Sequence, residues 1–207
     1  VMSRTRTGRP GATGGEPTPA GTAFGRALAA VRAVTLRPEV LVEEVPAPTR
    51  LAPHALALSG DVVPSRADDG DAVATGRFVL LHDPAAPEPW ESTWRVVTYA
   101  KAQLEPEMGH DPVLGEVGWS WLTEALTERA AEYTAVAGTV TSVLSESFGA
   151  LSTTEATVEL EVRASWSPLG EPESLEAHLQ AWGHLLCTIA GLPPLPEGVV
   201  ALPGRRG

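Results

Sequence analysis

An α+β fold with a mainly antiparallel sheet of about six strands and three helices, in the order α-ββββ-α-ββ-α, is what this sequence predicts. Three observations carry that expectation. Leu175, Leu179, Trp182, Leu186 and Ile189 recur at helical spacing. Residues 93–104 and 157–166 instead alternate apolar and polar side chains with period two. The links between the strand-like segments are mostly of hairpin length, which favours antiparallel pairing.

Taken in order, Phe24, Leu28, Val31 and Val34 mark a first amphipathic helix that must stop near Leu36, because Pro38 bars its continuation. Residues 39–45 (EVLVEEV) are β-rich and closed by Pro46 and Pro48, the signature of an edge strand. His54 to Val63 reads as a second strand with Leu56 and Leu58 on one face. The polar stretch 65–76 is a loop opening onto a third strand, RFVLLH. Across the proline-rich loop 83–92 the chain returns in a fourth strand, 93–104, with Trp94, Val96, Thr98, Ala100, Ala102 and Leu104 on one face.

Leu114, Val117, Trp121, Leu122, Ala125, Leu126 and Tyr133 form the broad apolar arc of a second helix over 114–133. Gly138 to Phe148 and Thr157 to Trp166 are the last two strands, the second with Val158, Leu160, Val162, Ala164 and Trp166 inward. The final helix ends at Gly191, Pro193 and Pro194. Leu179, Trp182 and Leu186 should be buried against the sheet.

Length and composition set the frame. The 207 residues, 43% hydrophobic, suit one domain at 21–207 preceded by an arm at 1–20. That arm is almost devoid of apolar side chains and is expected to be disordered. Removing Arg4, Arg6, Arg9, Arg205 and Arg206 from the 15 basic groups and Glu16 from the 26 acidic ones leaves 10 against 25, net −15 for residues 21–204. Such a surface repels phosphate backbones, so direct nucleic-acid binding by the folded part is not expected. The single cysteine, Cys187, excludes an internal disulfide framework and fits a reducing, cytoplasmic setting. No apolar run is long enough to span a membrane.

Candidate sites are few. Glu105, Glu107, His110 and Asp111, followed by Glu116, mix carboxylates with one imidazole where a strand gives way to a helix. Oxygen donors suit hard divalent cations and an imidazole suits transition ions, so this segment is the candidate metal site, with metal-assisted hydrolysis the corresponding chemistry. The same acids also suit a solvated turn at the positive end of a helix. His82 and Asp83 are neighbours, but adjacent strand residues point to opposite faces, and Asp83 before Pro84 has the chemistry of a turn initiator. Cys187 sits on a helix flank, where a thiol acts as a small hydrophobe. No GxSxG, GxGxxG, P-loop or CxxC motif occurs, and no cofactor is implied.

Of six tryptophans, Trp94, Trp121, Trp166 and Trp182 occupy inward positions. Trp90, in the proline-rich loop, and Trp119, at the edge of the second helix's apolar arc, are the candidate partner-binding pair. Trp90 alternatively folds back as a lid over the sheet. The function expected is thus a non-enzymatic interaction module, adaptor or chaperone-like, that binds a protein or peptide. Metal-assisted hydrolysis at 105–116 is the alternative.

The segments RLAP (50–53), GRFVLLHDPA (76–85), LEPEM (104–108), GWSWL (118–122), GTVT (138–141), RASW (163–166) and AGLPP (190–194) together give a further lead. The chain resembles the actinobacterial domain-of-unknown-function 3000 family over about residues 22–207. That resemblance implies a neighbouring ribonuclease-D-like exonuclease, hence a role as accessory factor to RNA processing, and carries over no catalytic residue. The element order is also similar to that of secretion-chaperone-like α/β folds, which dimerise, so a homodimer is a further candidate assembly.

Overall fold

The computed structural model describes residues 22–64, 71–153 and 155–194, and the arm at 1–20, Arg205 and Arg206 lie outside them. The elements are α1 (Ala23–Ala33), β1 (Val40–Val45), β2 (His54–Val62), β3 (Ala74–His82), β4 (Trp94–Leu104), α2 (Leu114–Glu128), β5 (Tyr133–Ser145), β6 (Thr157–Pro168) and α3 (Leu175–Ile189). Six strands form one antiparallel sheet in the order β1-β2-β3-β4-β6-β5, and the order α-ββββ-α-ββ-α stands as the sequence predicts.

All three helices cover one face. In β2, β3, β4 and β6 the even-numbered residues point towards them, with Leu56, Phe78, Val96 and Leu160 each 2% exposed or less. Trp182 of α3 brings the Cη2 and Cζ2 edge of its indole against β2 and β3 because those strands carry glycine beneath it. A Cβ on Gly60 would stand 2.5 Å from the Trp182 Cη2, and one on Gly76 2.7 Å from the Leu186 Cδ2. The two glycines thus turn the sheet surface into a seat for the largest side chain of α3. Phe24 of α1, with Thr22 capping that helix through a hydrogen bond accepted from the Gly25 N–H, stacks near His54, His82 and Trp94 at the far end.

The two boundaries that differ most from the sequence reading lie between the second helix and the fifth strand. The second helix stops at Glu128 rather than Tyr133, and the fifth strand starts at Tyr133 rather than Gly138. The helix ends in a Schellman turn, with the Ala131 N–H donating to the Leu126 carbonyl and the Ala130 N–H to that of Thr127. The residue holding the left-handed conformation is Ala130, at φ 50°. Alanine there gives no glycine stop signal, so the periodicity ran on through Tyr133. At the start of β5, Ala135 is again left-handed, at φ 48°, in a bulge between Thr134 and Ala137 that breaks the two-residue alternation.

Candidate functional site

The face of the sheet opposite the helices carries the candidate site. Because strand side chains alternate, it carries the odd-numbered residues of β2, β3, β4 and β6. Near its middle lies a trough of about 880 Å³ lined from Ser59 on β2, through Arg77 and Val79 on β3, Val97 and Tyr99 on β4 and Arg163 on β6, to Thr139 on β5. The registers Ser59↔Arg77, Arg77↔Tyr99, Tyr99↔Arg163 and Thr139↔Arg163 place five of these residues in one cross-strand row with Ser59 and Thr139 at its ends.

Its chemistry is apolar with a basic tint, in a chain of net charge −11. Arg163 sits over the Tyr99 ring, 5.4 Å from its centroid, and also pairs with Glu161. Arg77 has no ion pair among the described residues. Arg95, two rows along the same face, donates to the Ala135 carbonyl at 2.8 Å and to the hydroxyls of Ser165 and Ser167 at 2.6 and 3.0 Å, all neutral acceptors. Burial lowers the pKa of Arg95, although a guanidinium stays charged across the working range. The bulge in β5 therefore has a use: it turns the Ala135 carbonyl onto Arg95. Tyr99 is held above its ordinary pKa, first by burial and then by Glu161, and remains a neutral phenol.

At one end of this face, Ala57, Val79 and Leu81 form a small apolar cluster, with Ala55, Ala52, Val45 and Ala47 around it and Trp90 packed on top. Trp90, from a short turn at Glu88–Trp90, is partly buried there as a lid beside the trough. Trp119 lies on the other side of the sheet: it packs within the helix-covered core, and its ring closes over Gly138. The two candidate partner-binding tryptophans are thus separated by the sheet and do not share a surface.

The acidic segment adopts a different geometry from a ligand cage. Glu107 and His110 ride on a turn at Pro106–His110, Glu105 precedes it, and Glu116 is in the first turn of α2. The Asp111 Oδ1 accepts from the Val113 N–H at 3.0 Å, which orders the chain into the helix. Among the described residues, no group of three or more His, Cys, Asp or Glu side chains is gathered so as to hold a metal ion.

Asp83, His82 and Cys187 have structural surroundings. Asp83 accepts from the Ala85 N–H at 2.9 Å as a turn former. His82, 7% exposed, faces the helix side with its ring 4.1 Å from that of Trp94, and burial, then His54, lowers its pKa. Cys187 is buried, and burial pushes its thiol up to about 11, where little thiolate exists at neutral pH.

Arg77, Arg95, Tyr99 and Arg163 were not singled out by the sequence reading, although the alternation that placed Trp94, Val96 and Thr98 inward places Arg95, Val97 and Tyr99 on the opposite face. What the alternation of one strand lacks is strand order, and only the β3-β4-β6 neighbourhood brings three arginines and a tyrosine together.

Among the described residues no helix is long and apolar enough to cross a membrane. No curated protein and no solved structure matches the sequence. The profile of one family, described as Protein of unknown function (DUF3000), matches residues 20–200, which include every described strand and helix, and the chain therefore belongs to the DUF3000 family.

Proposed function

We propose that this protein is a non-enzymatic interaction module that binds an extended segment of a protein partner, rich in acidic and apolar residues, across the bare face of its sheet. The trough between Ser59 and Thr139 carries the proposal. It crosses five strands, and four gaps of about 4.8 Å make roughly 19 Å, the span of about six extended residues. Valine and alanine side chains offer apolar contact, the hydroxyls of Ser59, Thr75 and Ser165 offer hydrogen bonds, and Arg77 and Arg163 favour carboxylates. These groups bind and orient; none is a general base suited to neutral pH. Trp90 borders the trough through Val79, and its indole reports on occupancy.

A peptide-display selection against the full chain tests this reading. Enriched sequences should place Asp or Glu among apolar residues, and they should change Trp90 fluorescence. Arg77→Glu should weaken them by about tenfold or more, since it both removes an attraction and adds a repulsion. Enrichment of basic sequences, or binding indifferent to Arg77→Glu and to Tyr99→Ala, would overturn it.

A further inference from the structure

The two edges of the sheet are built differently. β1 is six residues long, carries Glu43 and Glu44, is followed by Pro46 and Pro48, and has Arg32 of α1 paired with Glu44 at 3.1 Å. Short length, charge and nearby proline are what keep an edge from pairing with another chain. β5, at the other edge, has none of these. Its thirteen residues, YTAVAGTVTSVLS, include no charged side chain and no proline, and beyond the bulge they run in unbroken register with β6 from Ala137 to Ser145. Next to its end stand three exposed apolar side chains: Val143 at 48%, Phe148 at 76% and Leu151 at 65%.

We infer that β5 is a homodimer interface, pairing antiparallel with the β5 of a second copy to join two sheets into one. The charge pattern selects this occupant. Two bodies of net charge −11 repel each other, which favours contact along a strip without charge, and β5, bounded by Glu132 and Glu146, is such a strip. A two-fold axis across an uncharged strand sets no like charges opposite one another within the strand, whatever the register. Main-chain pairing supplies the hydrogen bonds between the two strands, while Val143, Phe148 and Leu151, present twice, add apolar area of the kind a stable interface of about 1,200 Å² or more requires. The trough reaches Ala137 and Thr139 on β5, so the second copy would extend the same face. The inference stands whether or not that trough holds a peptide.

Sedimentation equilibrium of the full chain should show a dimer. The double variant Thr139→Asp, Thr141→Asp should be monomeric at concentrations where the parent is dimeric, with an unchanged circular dichroism spectrum, while Leu41→Asp on β1 should leave the dimer intact. Should the double variant fail to fold, single cysteines decide. With Cys187 buried, Thr139→Cys, Thr141→Cys or Val143→Cys treated with diamide should give a covalent dimer at the position nearest the axis, and Leu41→Cys should not. A monomer at every concentration, a dimer that survives the aspartates, or cross-linking through Leu41→Cys alone would refute the inference.

Discussion

Replacing Trp182 by alanine should cost about 3 to 5 kcal/mol of folding stability, the range for emptying a fully packed aromatic site. The side chain is 0% exposed, it lies over Gly60 and Gly76, and its ring centroid is 5.8 Å from that of Phe78. The neighbours cannot close the resulting void easily, because the two nearest strand positions have no side chain to rotate inward. Urea denaturation of parent and variant, compared at their midpoints, checks this. A loss below about 1 kcal/mol would mean that α3 does not use this face for packing.

Acid should destabilise the protein through His178. The residue is 0% exposed, its Nδ1 accepts from the Trp166 indole N–H at 3.0 Å, and the ring proton therefore sits on Nε2, which has no protein partner among the described residues. Burial lowers its pKa to about 4, from 6.5 in the unfolded chain. Between those values the unfolded chain takes up a proton that the folded one refuses. The associated stability is fully present above pH 6.5 and is lost as pH falls towards 4. At about 1.4 kcal/mol per pKa unit the loss approaches 3 kcal/mol. In His178→Gln the amide oxygen still accepts from Trp166 but nothing titrates. Stability measured from pH 7 to pH 4 should therefore fall about 3 kcal/mol less in the variant than in the parent. Parallel curves would show that His178 is solvated when protonated.

What could be read from the sequence depended on whether the signal was local. The stripe of α3 and the alternation of β4 and β6 identify Trp182, Trp166 and Val96 as core because burial follows directly from period. Pro46 and Pro48 identify β1 as an edge because proline cannot donate to a ladder. The end of α2 was hidden because alanine occupies a position where glycine is usual. Trp90 and Trp119 look alike as apolar outliers, yet one side of the sheet takes each, and nothing local to either residue says so. The arginines of the bare face were likewise invisible as a group: they come from three strands, and arginine supplies all but Lys101 of the basic residues, so its presence alone carried little meaning.

If the partner binds to the sheet face away from the helices, adjacent residues of one strand should respond differently to it. Val96 and Val97 are neighbours in β4, one fully buried beneath the helices and the other 36% exposed at the trough. With methyl-labelled protein, titration of a selected acidic, apolar peptide should shift the NMR signals of Val97, Val79 and Ala137 while leaving those of Val96 and Leu160 nearly in place. Shifts confined to methyl groups of α2 or α3, with Val97 and Val79 unmoved, would contradict binding to that face.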